Sequence, residues 1–163
     1  MDFVIRALGD FTTRLVNGCS VGMHADVYAP YGRFARPAGA RREIWIGGGV
    51  GISPFIAWLK DPSANGFERV TLFYFFTPGR EFPTVETLEE IARERGAELV
   101  PVSRGPDDPA FVQRFKELAA ENDPNSIKVS FCGPQGLMKA VRQWMRTLGI
   151  PDRNLDHEFF DFR

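Results

Sequence analysis

Residues 45–54 read Trp45-Ile46-Gly47-Gly48-Gly49-Val50-Gly51-Ile52-Ser53-Pro54. An apolar strand that runs into a glycine cluster and then a helix lets backbone N–H groups and the helix N-terminus meet a pyrophosphate. We interpret Gly48, Gly49 and Gly51 as residues that keep side chains out of that approach. The alternative is a tight turn with a structural role alone, but the position between a strand and a helix favours phosphate binding. The segment lacks the Gly-Lys-Ser/Thr ending of a P-loop kinase or ATPase.

Downstream of this segment, apolar runs alternate with amphipathic helical patterns. Strands are predicted at 43–46, 70–76, 99–102 and 127–131. Helices are predicted at 52–60, from the N-cap Thr84 to the stop at Gly96, from Asp108-Pro109 onward, and at 135–148. This alternation predicts an α/β fold with a doubly wound parallel sheet.

The N-terminal part follows a different pattern. Alternation over 3–8 and an extended stretch over 21–28 predict a pair of antiparallel strands. Residues 35–42 combine small residues, proline and arginine, which predicts a linker. We therefore expect a short antiparallel β unit over 1–36 and a second domain over 43–163.

Composition restricts the function classes. The chain has 163 residues, a net charge of −1 and a pI near 6.1, which argues against a protein that grips nucleic-acid backbones. No apolar run approaches the roughly 20 residues of a membrane-spanning helix. Cys19 and Cys132 are too few for a disulfide framework, and His24 and His157 lack the spacing of metal ligands. We expect a soluble domain in the reducing cytoplasm.

A second candidate site follows the strand at 127–131. The segment Phe131-Cys132-Gly133-Pro134 ends that strand at the carboxyl edge of the predicted sheet, where ligands of such folds bind. A thiol beside a glycine that permits close approach is suited to a position next to a reacting ring. The alternative for a lone cysteine after an apolar strand is a small buried hydrophobic residue.

Together the two motifs resemble the ferredoxin–NADP reductase superfamily. Members carry a glycine motif that ends in Gly-x-Ser/Thr-Pro, here Gly51-Ile52-Ser53-Pro54, and a later Cys-Gly-Pro motif, here Cys132-Gly133-Pro134. The resemblance implies an NAD(P)-binding domain that transfers hydride from NAD(P)H to FAD, with onward one-electron transfer to haem, ferric iron or another acceptor. It implies that the glycine segment holds the pyrophosphate and that Cys132 lies beside the nicotinamide.

The N-terminal residues are similar to the closing part of the flavin-binding barrel of this superfamily. The similar segments are Gly9-Asp10-Phe11-Thr12-Thr13-Arg14-Leu15 and Pro30-Tyr31-Gly32-Arg33-Phe34. The resemblance implies that Thr12 contacts the flavin phosphates. The earlier barrel strands and the flavin motif of the superfamily are missing from this sequence, so we expect FAD in the full-length protein and no stable flavin on this chain alone.

The C-terminal residues Glu158-Phe159-Phe160-Asp161-Phe162-Arg163 resemble the ending of ferric-reductase-like and NADPH-oxidase-like members. There a terminal aromatic ring covers the flavin until nicotinamide displaces it. The resemblance implies Phe160 for this role, with Phe162 as second choice; the alternative for each is a core residue of a final strand. Members of this branch often follow a haem-bearing membrane domain, which implies a full-length protein at the cytoplasmic face of a membrane.

The choice of dinucleotide depends on the adenosine 2′ position. The segment Val102-Ser103-Arg104 is similar to the Ser-Arg pair that superfamily members use to hold the 2′-phosphate, and a guanidinium forms paired charged hydrogen bonds with phosphate. Arg80 is a candidate second cation. The alternative is a set of solvated surface arginines. These residues favour NADPH, with NADH as the other possibility.

Two other functions stay open on the sequence alone. One is a docking or regulatory module that keeps the fold without turnover. The other is the reductase component of an oxygenase or of a dihydroorotate dehydrogenase; such components usually carry an iron–sulfur cysteine cluster, which this segment lacks.

Overall fold

The computed structural model describes residues 5, 7, 9–28 and 32–159. Contacts between Cα atoms divide the chain into two compact units, Met1–Phe34 and Ala35–Arg163. The residues predicted as a linker therefore cluster with the second unit.

The first unit contains one helix, α1, over Asp10–Gly18, and no strand among its described residues. The prediction of a strand over 21–28 is wrong, because an extended segment becomes a strand only by pairing and no described residue of this unit supplies an edge. Most of the strand predicted at 3–8 lies outside the described residues. The antiparallel remnant expected here is thus not found in the described part, and α1 was missed by the sequence analysis.

The second unit contains a five-stranded sheet. Its strands are β1 (Arg42–Gly48), β2 (Val70–Phe75), β3 (Glu98–Val102), β4 (Ile127–Gly133) and β5 (Leu155–Phe159). They lie in the order β3-β2-β1-β4-β5, and every neighbouring pair is parallel. This confirms the predicted α/β fold with a parallel sheet. The strand order changes direction between β1 and β4, which is where ligands of such sheets bind.

Four helices connect the strands: α2 (Ser53–Lys60), α3 (Val85–Arg95), α4 (Pro109–Glu121) and α5 (Gln135–Thr147). The capping residues predicted for α3 and α4 are found at the ends of these helices. The Thr84 side chain accepts a hydrogen bond from the Thr87 N–H at the start of α3, and Gly96 ends that helix with a φ of 79°. Asp108 caps the start of α4 by accepting from the Ala110 N–H at 3.0 Å.

Alternation along the strands gives the sheet two apolar faces. On one face Phe73 of β2 packs edge-on against Phe111 and Phe115 of α4, at centroid distances of 5.0 and 6.1 Å. On the other face Trp45 of β1 contacts Trp58 of α2 at a centroid distance of 5.1 Å. Helices therefore cover both faces, which makes the sheet doubly wound.

The beginning of the second unit is fixed by Arg36. Its Nε and Nη2 donate to the two carboxylate oxygens of the buried Glu43 at 3.0 and 2.8 Å. Its Nη1 and Nη2 also donate to the carbonyl oxygens of Asn65 and Gly66. A bidentate, largely buried ion pair of this kind holds the chain at residue 36 against the loop that follows α2.

Within the part of the chain that the structure describes, no helix combines the length and the apolar character needed to cross a bilayer.

Candidate functional site

The glycine motif and the Cys-Gly-Pro motif meet at the carboxyl edge of the sheet. Gly47 of β1 is the register partner of Cys132 on β4. A Cβ atom at Gly51 would collide with the carbonyl group of Cys132. A Cβ atom at Gly48 would lie 2.8 Å from Cδ of Pro134. The two motifs that lie far apart in the sequence thus form one packed junction at the point where the strand order changes direction.

The three glycines differ in what surrounds them. Gly48 and Gly51 lack side chains because the neighbouring β4 and the start of α5 occupy that space. Gly49 has a φ of 55°, and a Cβ atom built on it would meet nothing within 4 Å. Gly49 is therefore the glycine of the segment that faces open space in a left-handed conformation, which side chains other than Asn and Asp rarely adopt.

The residues after Gly49 form a tight turn that leads into α2. A 3-10 turn covers Gly49–Ile52, and the Ser53 hydroxyl donates to the Val50 carbonyl oxygen at 2.7 Å. Pro54 lies in the first turn of α2, where a missing N–H costs no intrahelical bond. The first turn of a helix carries unpaired N–H groups and a partial positive charge, so this end of α2 favours an anion.

Cys132 is fully buried. Burial raises the pKa of its thiol to about 12, and the nearby negative charge of Glu158 acts in the same direction. The thiol therefore stays protonated at neutral pH and is unsuited to act as a nucleophile. Full burial also fits the alternative interpretation of this cysteine as a small core residue.

Glu158 is a neighbour of Cys132 that the sequence analysis missed. It is the register partner of Cys132 across the β4–β5 pair, and it is partly buried. The signal that could have identified it is strand alternation, because residues 156 and 158 share the face on which Ser130 and Cys132 lie. The C-terminal segment was interpreted only for its aromatic residues.

A second group of candidate residues lies at the ends of β2 and β3. The Phe76 N–H donates to the Val102 carbonyl oxygen at 3.1 Å, so the loops that leave these two strands start side by side. Arg80 follows β2, and Ser103 and Arg104 follow β3; all three are exposed. The structure thus brings the three residues predicted to hold a 2′-phosphate to the same edge of the sheet as the glycine segment.

The loop after β2 is anchored by a buried tyrosine. The Tyr74 hydroxyl accepts from the Phe82 N–H at 3.0 Å and donates to the Phe82 carbonyl oxygen at 3.3 Å. Burial raises the pKa of Tyr74, the hydrogen bond with Phe82 opposes that effect, and the negative charge of Glu81 adds to it. One carboxylate oxygen of Glu81 is buried and has no hydrogen-bond partner among the described residues.

The remaining predicted residues belong to other parts of the chain. Thr12 lies in the first turn of α1, where its hydroxyl oxygen accepts from the Gly9 N–H at 3.1 Å. Phe160 and Phe162 lie outside the described residues. Across the described ranges there is no group of three or more His, Cys, Asp or Glu residues that could hold a metal ion.

Comparison with known proteins gives relatives along most of the chain, although no family model matches it. It is 27% identical over 169 residues to the toluate 1,2-dioxygenase electron transfer component of Pseudomonas putida, covering 98% of this chain and 50% of that protein. It is 30% identical over 151 residues to a probable dihydroorotate dehydrogenase B electron transfer subunit of Methanothermobacter thermautotrophicus, covering 90% and 52% respectively.

Solved structures share the fold. The flavohem-like FAD/NAD-binding domain of nitric oxide dioxygenase from Vibrio cholerae matches with a TM-score of 0.70 and 21% identity, over 93% of this chain and 65% of that one. The chain spans about half the length of the curated relatives it matches, 50% and 52% in the two cases above.

Proposed function

Because the chain belongs to the ferredoxin–NADP reductase-like superfamily, we propose that it is the NAD(P)H-binding domain of a flavin-dependent oxidoreductase. The single observation that supports this most strongly is the junction between the glycine segment and the Cys-Gly-Pro segment. It places the open backbone at Gly49 and the buried thiol of Cys132 at one edge of the sheet.

A diphosphate would fit against the backbone of Gly49–Ile52 and the first turn of α2. Gly49 leaves an open approach to the backbone, since a Cβ atom there would have no neighbour within 4 Å. The turn over Gly49–Ile52 and the first turn of α2 present backbone N–H groups, and Ser53 holds the turn closed through Val50. The N–H groups of these residues would donate hydrogen bonds to the negatively charged pyrophosphate of NAD(P)H, and the open space at Gly49 would leave room for it.

The nicotinamide would lie against the end of β4. When bound, the reduced dinucleotide supplies a hydride from C4 of its ring to N5 of the flavin. Cys132 would contribute a neutral thiol. Gly133 lets β4 pack closely on the glycine segment, since a Cβ atom at Gly133 would lie 3.2 Å from the backbone of Gly48. Glu158 places a carboxylate beside the thiol. These residues would orient the ring and exclude water from it.

The adenosine end would lie over the loops after β2 and β3. Ser103 and Arg104 would bind the 2′-phosphate through a hydroxyl and a guanidinium, and Arg80 would add a second positive charge. This set favours NADPH over NADH, which lacks that phosphate.

The flavin half of the reaction involves residues at both ends of the chain. Thr12 would contact the flavin phosphates, and Phe160, or alternatively Phe162, would cover the flavin ring until nicotinamide displaces it. In the whole protein, electrons would pass singly to haem, ferric iron or another acceptor. A flavin domain, and a haem-bearing domain in the membrane, are the proposed partners, with this domain in the cytoplasm.

A second candidate role is the reductase component of a multi-protein oxygenase or dehydrogenase. It is favoured by the two relatives named as the electron transfer component of toluate 1,2-dioxygenase and the electron transfer subunit of a probable dihydroorotate dehydrogenase B. The chemistry at this domain would be the same, and only the acceptor would differ.

Calorimetric titration of this chain with NADPH and NADH tests the proposal. We expect binding in the micromolar range, tighter for NADPH. Absence of binding for both would contradict it and would favour a docking or regulatory module that has kept the fold.

A further inference from the structure

Asp108 connects the loop after β3 to the start of α4. The residue is 8% exposed, and its carboxylate accepts three backbone hydrogen bonds. Oδ1 accepts from the Ala110 N–H at 3.0 Å. Oδ2 accepts from the Ser103 N–H at 3.2 Å and from the Arg104 N–H at 3.0 Å. One oxygen therefore caps the helix, whereas the other holds the loop.

The carboxylate is charged at neutral pH. Burial alone would raise the pKa of Asp108, but the three N–H donors and the positive charge of Arg104 outweigh burial and lower the pKa. The loop closes further through the Asp108 N–H, which donates to the Gly105 carbonyl oxygen at 3.1 Å. Gly105 has a φ of 80°, which allows the chain to turn there.

We propose that Asp108 is a positioning residue that gives the domain its preference for a 2′-phosphorylated dinucleotide. The inference rests on the proposed function. By fixing the backbone of Ser103 and Arg104 before the ligand arrives, Asp108 lowers the entropic cost of ordering their side chains around a phosphate. NADH lacks this phosphate, so its binding depends much less on the order of the loop.

The same hydrogen bonds define how the phosphate is held. The N–H groups of Ser103 and Arg104 are already used by Asp108, so they are not the donors to the phosphate. Binding is left to the Ser103 hydroxyl and the Arg104 guanidinium. The charge of Asp108 would by itself repel a phosphate, but the three donors and Arg104 offset that charge. The gain in NADPH affinity from an ordered loop therefore exceeds the loss from repulsion between Asp108 and the 2′-phosphate.

The test uses variants that separate the two oxygens. Asp108→Asn can keep an oxygen toward Ala110 while its NH₂ group faces the N–H groups of Ser103 and Arg104. Asp108→Ser keeps a helix cap but has no second oxygen to reach the loop. The matched control is Asp123→Asn, because Asp123 caps the short 3-10 turn before β4 by accepting from the Asn125 N–H at 3.0 Å. That position precedes β4 and lies toward the opposite edge of the sheet.

Affinities for NADPH and NADH are measured by calorimetry for each variant. We expect both Asp108 variants to weaken NADPH by about tenfold, as for one charge-assisted hydrogen bond, and NADH by less than about twofold. Asp123→Asn should change neither affinity. Equal losses for both dinucleotides, or tighter NADPH binding, would overturn the role of Asp108.

The wild-type chain keeps the inference testable if the variants do not fold. Amide hydrogen exchange should reveal slow exchange at Ser103 and Arg104 although both residues are exposed; fast exchange at both would overturn the inference. Wild-type binding that does not distinguish NADPH from NADH would also overturn it and leave the proposed function intact. Failure to bind either dinucleotide would overturn the proposed function itself.

Discussion

Gly51 lies so close to the carbonyl group of Cys132 that a Cβ atom at position 51 would overlap it. The obstacle is backbone on a central strand, which cannot move aside as the end of a flexible side chain can. This contact sets the distance between the glycine segment and β4, and it therefore links the stability of the domain to the geometry of the candidate site.

Gly51→Ala should lower the free energy of unfolding by about 3 kcal/mol, because the added methyl group overpacks a rigid junction. Gly136→Ala is the control: Gly136 lies in α5, where a Cβ atom would meet nothing within 4 Å and alanine favours the helix. Urea unfolding monitored by circular dichroism checks both. Similar midpoints for the two variants would contradict the importance of the Gly51 contact.

Two substitutions of Gly49 test the effect of a negative charge with side chains of nearly the same shape. Asn and Asp both tolerate a φ of 55°, so Gly49→Asn and Gly49→Asp should each fold with a loss of about 1 kcal/mol. The aspartate adds a negative charge where the pyrophosphate is proposed to bind. We expect Gly49→Asp to bind NADPH at least about tenfold more weakly than Gly49→Asn in calorimetry, from repulsion in the anion site. Equal affinities for the two variants would remove the pyrophosphate from this position.

The central sheet could be predicted from the sequence because its signals are local. The apolar run of β2 and the caps at Thr84 and Asp108 each depend on neighbouring residues, and the structure has these elements close to the predicted positions. The strand predicted at 21–28 depended on pairing with a distant partner, which no local pattern encodes. That is why it was wrong.

For the candidate site, the sequence likewise predicts the residues that local motifs mark but not the contacts between distant segments. The glycines and Cys132 could be identified from short motifs at strand ends. Their packing could not be predicted, because it depends on how β1 pairs with β4. Only the structure shows that Gly51 lies against the Cys132 carbonyl group, and that Gly49 faces open space whereas Gly48 and Gly51 do not. Glu158 becomes a neighbour of Cys132 only through the pairing of β4 with β5.

The two cysteines should differ in reactivity. Cys19 is exposed, whereas Cys132 is buried with a pKa raised to about 12. At about pH 8, near the ordinary pKa of a thiol, the native chain should react quickly with one equivalent of a chromogenic disulfide reagent, and with a second only after unfolding. Cys19→Ser should abolish the fast phase.

Because the pKa of Cys132 is raised in the folded chain, Cys132 should stay protected from the reagent as the pH rises above the ordinary pKa of a thiol. Protection should end only as the pH approaches 12. Two fast equivalents in the wild-type chain would contradict the burial of Cys132.

Arg104→Ala should weaken NADPH by about tenfold or more and leave NADH within about twofold, because only NADPH presents a charged group to the guanidinium. Arg93→Ala is the control, since Arg93 is exposed in the last turn of α3 and is not among the proposed site residues. Calorimetry with both dinucleotides measures the effects. Equal losses for NADPH and NADH would exclude Arg104 as the basis of the preference.

Ser130 has a buried hydroxyl with no hydrogen-bond partner among the described residues, on the same face of β4 as Cys132. A buried unpaired hydroxyl carries a desolvation cost that alanine avoids, so Ser130→Ala should leave the free energy of unfolding unchanged or raise it. Ser53→Ala is the matched comparison: its hydroxyl donates to the Val50 carbonyl oxygen at 2.7 Å, and its removal should cost about 1 kcal/mol. Urea unfolding of both variants gives the difference. A larger loss for Ser130→Ala than for Ser53→Ala would mean that the Ser130 hydroxyl is paired in solution, and that this face of β4 encloses a polar partner.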